Sequence, residues 1–380
     1  MLDYDILRVI WFILLVVLFV GFIVTDGFDM GVGIVLLYLG KTDLERRVLI
    51  NTISPHWEGN QVWLVTSIGA MFAAFPLLYG TIFNGLYVIF LLVFIALFLR
   101  PMAFDYRSKL TSKKWKCYWD RALFVGSIVP IFFIGLILGN VFHGLSFSFN
   151  EMMQVQYDDN LWQYIKLNGI LFGFFAIGVV VMHGCCWLQL KTVDNLYEQS
   201  RYIVMRVAVV NAILFMVIGC YLYFCVEGFT IEQFSRAHYF DPLHKLIVQN
   251  TDKGAWFVNY LQNPLLFLVP CFALLCLFFV IFCSYQHWHA MAFLSSALFI
   301  LCACATAAIS LFPFLLPSVS HPSYSLLVWD STSSQLNLQI LLVVVFLFLP
   351  IVLAYTIWSY IKMSGRLDIT FIEKNSKSLY

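Results

Sequence analysis

Long apolar runs broken by short charged stretches set the rhythm of this 380-residue chain. A bilayer's hydrocarbon is about 30 Å thick and a helix rises about 1.5 Å per residue, so one span takes about 20 apolar residues. Nine stretches reach that length: 7–39, 56–75, 78–99, 122–142, 161–190, 203–226, 264–283, 289–312 and 336–361. The pattern predicts an all-α polytopic membrane protein with nine transmembrane helices.

Composition agrees. The chain is 62% hydrophobic and 11% charged, whereas soluble domains carry charge on about a quarter of their residues. A net charge of +1 offers no basic surface for nucleic acid. The opening MLDYDILR has two acids, no cluster of bases and no small-residue cleavage motif after it, so the first helix is expected to stay.

Where the bases fall matters more than their sum. With nine spans the two ends lie on opposite sides. If the N-terminus is outside, 17 of the 22 Lys and Arg residues fall in inside segments, leaving Arg8, Lys166, Arg236, Lys245 and Lys253. The reading therefore places the N-terminus in the periplasm and the C-terminus in the cytoplasm. The stretch 143–160 has no base and carries Glu151, Asp158 and Asp159, which suits the outside.

LYLGKTDLERR after the first span resembles LQLKTVDNLYEQSR after the fifth. Both spans run the same way, which implies a parallel pseudo-repeat: a four-helix unit over 1–160 with an acidic cluster at its cytoplasmic end, a second over 161–313, and 314–380 supplying an outer loop, the ninth helix and a tail. Aligned through Leu37 and Leu188, the second copy has Ile177 and Val180 where the first has acids.

Those acids are Asp26 and Asp29, the sole charges between Val9 and Gly40. Asp26 lies roughly 28 Å along the helix from Leu7, near the inner edge of the hydrocarbon, and Asp29 follows one turn later on the same face. His56 and Glu58 open the second span from the inside, Arg100 closes the third, and Asp105 follows. A charge in a helix centre costs about 2.5 to 3.5 kcal/mol on insertion scales, so the cluster needs a use or a compensation. A packing reading has Arg100 neutralise the acids and Gly27-x-x-x-Gly31 admit a close helix. The functional reading is a proton path, since carboxylates and a histidine can pass protons.

Other chemistry is thin. The ten cysteines lie in or beside apolar spans without C-x-x-C spacing and read as small hydrophobes. His183 reads as hydrogen-bonded packing, and no histidine pair has the spacing of a haem or metal site. The tryptophans near span ends read as interfacial belts. No phosphate loop or nucleophile elbow is present.

SPHWEGNQVWL (54–64), TDGFDMGVG (25–33), RPMAFDYRSK (100–109), FPFLLPS (312–318) and WDSTSSQL (329–336) together resemble subunit II of the cytochrome bd quinol oxidases, the haem-free subunit. The likeness runs from end to end. It implies two four-helix bundles plus one helix in a bacterial inner membrane, and pairing with a pseudo-symmetric subunit I that holds two b-type haems and haem d. A small single-helix accessory subunit is a further implied partner. The complex would oxidise quinol, reduce O2 to water with protons from the cytoplasm, and separate charge without pumping. This chain would contribute no catalytic residue, metal or haem ligand. A proton route attributed to the family falls on Asp26, Asp29, His56, Glu58, Arg100 and Asp105. Several relatives have Asp where this chain has Glu58, one methylene longer. Some hold a structural quinone, for which this sequence shows no place. The alternatives are a purely structural scaffold in the same oxidase and, remotely, a secondary transporter, which would gather polar groups at the midplane rather than at one end.

Overall fold

A computed structural model describes residues 3–157, 165–234, 245–250 and 254–374. The predicted start of the fifth span, Asp158, Asp159, Arg236, His238, His244, Lys253 and Lys377 lie outside the described residues. The described residues form thirteen α-helices in order: α1 (Tyr4–Leu39), α2 (Asp43–Ile53), α3 (Trp57–Ala74), α4 (Pro76–Gly85), α5 (Tyr87–Arg107), α6 (Lys113–His143), α7 (Leu167–Lys191), α8 (Asp194–Phe224), α9 (Val258–Gln262), α10 (Leu268–Tyr285), α11 (His289–Leu311), α12 (Gln335–Lys362) and α13 (Ile369–Lys374). Among the described residues eight helical segments are long and apolar enough to span, and α3 with α4 makes a bent ninth. Helices dominate because lipid offers no partner for an open backbone group.

The second and third spans depart from expectation. Apolar composition runs straight through 56–99, yet α3 stops at Ala74 and α4 leaves it at 119°. The cause is Pro76, at the first position of α4. Its ring disfavours helical backbone at the preceding residue, and Phe75 sits at φ −131°, ψ 64°. The third span therefore begins at Tyr87 rather than near residue 78.

Three antiparallel hairpins, β1–β2 (Phe147–Phe149, Val155–Tyr157), β3–β4 (Gly228–Phe234, Lys245–Asn250) and β5–β6 (Phe314–Leu316, Leu326–Leu327), cap the end where α1 begins. Leu7, Trp11, Phe147, Trp256 and Leu316 share one hydrophobic cluster there, and the Lys245 ammonium meets the Asp330 carboxylate within it. At the opposite end, the chain leaves α1 at Gly40 and enters α2 through a reciprocal capping box between Thr42 and Glu45. Phe28, Leu36, Ile53, Phe104, Trp187 and Leu196 form a second cluster.

The predicted close approach at Gly31 is realised against α7. A Cβ at Gly31 would lie 1.9 Å from the Val180 carbonyl oxygen, and one at Gly184 would lie 2.7 Å from the Val32 nitrogen. Helices α1 and α7 therefore meet backbone to backbone through facing glycines, the geometry small residues permit in lipid.

Candidate functional site

Roughly three to four turns before Gly40, α1 carries Asp26 and Asp29 one turn apart, both with no exposed surface. Arg100 reaches them from the last turns of α5. Its Nη1 donates to Asp26 Oδ2 at 2.8 Å and its Nη2 to Asp26 Oδ1 at 2.6 Å, a bidentate fork. Gly126 of α6 makes room for this, since a Cβ there would meet the Ala96 carbonyl at 2.7 Å and Arg100 Cγ at 3.0 Å.

Asp29 is held differently. Asn60 on α3 donates from Nδ2 to Asp29 Oδ2 at 2.8 Å, while Asp29 Oδ1 has no partner among the described residues. Asn60 Oδ1 in turn accepts from the Tyr360 hydroxyl at 2.7 Å. The Tyr360 ring stacks on His56, centroids 4.4 Å apart. His56 stands in the Ser54-Pro55-His56 break between α2 and α3. It is buried, with Nδ1 unpartnered among the described residues. One guanidinium neutralises one carboxylate. Asp29 has no ion pair of its own among the described residues, and Asp29 Oδ1, His56 Nδ1 and Arg100 Nε are buried there without a partner.

Of the six residues singled out in the sequence, the structure thus gathers Asp26, Asp29, His56 and Arg100. Glu58 and Asp105 lie on the exposed surface of the chain, without a hydrogen bond or ion pair to other described residues. Asn60 and Tyr360 were missed. Asn60 had a signal, one turn after His56 in a polar stretch. Tyr360 had none, because an aromatic at the end of a span reads as an interfacial belt.

Beyond this group lies an ionic layer the sequence did not pair. Seven residues past Arg100, about 10 Å along α5, Arg107 Nε donates to Asp120 Oδ1 at 2.5 Å and its Nη2 to Asp43 Oδ1 at 2.8 Å. Arg46 bonds Asp120 at 2.9 Å and Lys116 bonds Asp43 at 2.7 Å. The layer ties α2, α5 and α6 together.

Three of the described histidines are engaged in packing. His183 uses both ring nitrogens, Nδ1 with Ser296 Oγ at 2.7 Å and Nε2 with the Val24 carbonyl at 2.9 Å, so it bridges α7 to α11 and α1 as the packing reading expects. His287 is bonded to the Tyr197 hydroxyl at 2.6 Å. His56 offers a nitrogen, but its ring lies flat against Tyr360 and edge-on to Trp187.

The fold and the buried group define a polytopic α-helical membrane subunit with a charged site near one end of its bundle. The family model for cytochrome bd terminal oxidase subunit II matches residues 7–363. A probable cytochrome oxidase subunit 2 from Haemophilus influenzae is 44% identical, covering 100% of both chains. A cytochrome bd-I ubiquinol oxidase subunit 2 from Escherichia coli is 41% identical, also covering 100% of both. A chain from the bd oxidase structure of Geobacillus thermodenitrificans superposes with a TM-score of 0.66 over 94% of this chain and 98% of that one, at 15% identity, a likeness of fold. The chain belongs to the cytochrome bd terminal oxidase subunit II family.

Proposed function

We propose that this chain is the haem-free half of a quinol oxidase of the bacterial inner membrane, paired with a haem-bearing subunit I and joined by a small single-helix accessory subunit. Quinol is the electron donor, in keeping with the name of the Escherichia coli relative, and O2 is reduced to water. The two b-type haems and haem d lie on subunit I and supply the redox chemistry. The hairpin end faces the periplasm and the Gly40 end the cytoplasm, a placing supported by the distribution of Lys and Arg. Residues 1–160 and 161–313 are the two repeat units, with 314–380 completing the bundle.

In this reading the chain carries part of the cytoplasmic proton path, so that protons drawn from one side and electrons delivered from the other separate charge without pumping. The observation behind it is Asp29: buried, held on one oxygen by Asn60, open on the other, and beside an Asp26 already neutralised by Arg100. Asp29 takes and releases the proton, Arg100 fixes Asp26, and His56 stands on the cytoplasmic side of the group. Glu58 and Asp105, exposed on this chain, serve as hand-off points at its surface.

The test is Asp29→Asn and, separately, Glu58→Gln, each keeping size and hydrogen bonding while removing titration. Complexes with normal haem bands should consume O2 far more slowly and hold a weaker membrane potential. Full-speed turnover in both would leave the scaffold reading, which the bidentate Arg100–Asp26 clamp between α1 and α5 favours.

A further inference from the structure

Five bases are buried in the described chain: Arg8, Arg100, Arg107, Lys191 and Lys245. Four have a carboxylate, respectively Asp5, Asp26, Asp120 and Asp330. Lys191, at the last turn of α7, does not. Its Nζ donates to the Met363 carbonyl at 2.6 Å and lies 4.9 Å from the centre of the Trp187 ring. An ammonium has three donors, so two are left without an anion in a place where a charge needs one.

Lys191 also lines a cavity of about 490 Å³ between α7 and α12. The wall towards the bundle is Trp187 and Tyr360, the wall along α12 is Ile357 and Ile361, and Ser364 closes it beyond the helix end. The chain after α12 is pinned there, with the Leu367 N–H donating to the Lys191 carbonyl at 2.7 Å, so the cavity is framed beyond the helix end. On its outer side it is open: Ile357 and Ile361 are 59% and 64% exposed and continue the apolar wall outward. Lys362 and Arg366, both exposed, add positive charge at the same level.

A cation at the polar end, apolar walls below it and an apolar opening outward together suit an amphiphile with an anionic head. We propose that this cavity binds an anionic phospholipid of the leaflet at the Gly40 end, its phosphate on Lys191 Nζ and its acyl chains along the exposed face of α12. Basic pockets between membrane helices at the headgroup level bind such lipids. The lipid packs on Tyr360, and so on the residue that holds Asn60 and through it Asp29. The site requires the membrane setting of the chain, and it stands whether or not Asp29 carries protons.

The purified oxidase complex, stripped of lipid, is returned to micelles containing phosphatidylglycerol or phosphatidylcholine, and its thermal unfolding is followed, with inorganic phosphate as a third addition. Phosphatidylglycerol should raise the Tm of the wild type more than phosphatidylcholine does, and phosphate should do nothing. Lys191→Gln should lose the difference between the two lipids, Lys191→Arg should keep it, and native mass spectrometry should count one fewer retained phosphatidylglycerol on Lys191→Gln. If Lys191→Gln does not assemble, Ile361→Trp, which narrows the cavity mouth and keeps the cation, should lose the difference instead. Equal response to both lipids in the wild type overturns the proposal. So does a phosphate effect equal to that of the lipid, which means a free-anion site. A wild type indifferent to phosphatidylglycerol, with a Lys191→Gln complex that separates into subunits, assigns the missing anion to a carboxylate of subunit I and overturns it as well.

Discussion

Tyr360 donates its hydroxyl to Asn60 Oδ1 at 2.7 Å across 300 residues of sequence, and Asn60 passes the constraint on to Asp29. The last membrane helix thereby sets the carboxylate carried by the first. Tyr360→Phe leaves a buried amide oxygen unsatisfied, a loss of about 1–3 kcal/mol, and frees Asn60 to rotate. The complex should assemble with normal haem bands while quinol-driven O2 consumption falls. An unchanged rate would mean that Asn60 alone fixes Asp29.

Removing one partner of a buried ion pair costs about 3–5 kcal/mol, because the other charge stays behind. Arg100→Leu strands Asp26 and should reduce the amount of assembled complex, read as haem absorbance per membrane protein. The double variant Arg100→Leu with Asp26→Leu removes both charges and should recover much of that assembly. Recovery no better than the single variant would show that Arg100 does more than neutralise Asp26.

The glycine contact between α1 and α7 gives a stability prediction. Gly31→Ala drives a methyl into the Val180 carbonyl, 1.9 Å away. Overpacking costs about 1–3 kcal/mol where side chains can move, and here backbone meets backbone. Gly31→Ala should therefore lower the Tm of the complex by several degrees. Gly219→Ala, whose added methyl meets nothing within 4 Å, is the control and should leave Tm in place.

Acid should loosen the Gly40 end through Asp43. Burial favours its neutral form, but the Lys116 hydrogen bond and the Arg107 charge outweigh that and hold its pKa below the ordinary value. A folded pKa below the unfolded one stabilises the fold above the unfolded value, about 3.9 for aspartate, and the contribution disappears as pH falls through the folded value. With the Asp43 side chain 44% exposed, screening keeps the effect small. Tm measured from neutral pH down to about pH 3 should fall less steeply for Asp43→Asn than for the wild type.

Orientation is checked with alkaline phosphatase fusions. A fusion in the loop near Asn150 should be active and one at Tyr380 inactive. The opposite pattern would invert the bundle and place Asp29 on the wrong side for proton uptake.

The apolar runs alone determined the class of the molecule and nearly all of its spans, because hydrocarbon imposes both a minimum length and a helical backbone on anything that crosses it. They also determined that Asp26, Asp29, His56 and Arg100 would lie near one end, since position along a helix is simply a count of residues. The Gly31 contact was legible for a similar reason: spacing puts two glycines on one face before any partner is known. The bend at Pro76 was not read from the sequence, because unbroken hydrophobicity across 56–99 masked the effect of proline on the residue before it.

What no count of residues supplies is rotation. Whether Arg100 takes Asp26 or Asp29, and whether Glu58 and Asp105 turn inward or out, depends on how each helix is turned about its axis against its neighbours. That turn is fixed by packing such as Gly31 on Val180 and Gly126 on Ala96. The lone ammonium of Lys191 and the tie from Tyr360 to Asn60 belong to the same class. Each joins α12 or the chain just beyond it to a helix far earlier in the sequence, and only the assembled bundle decides which side chains meet there.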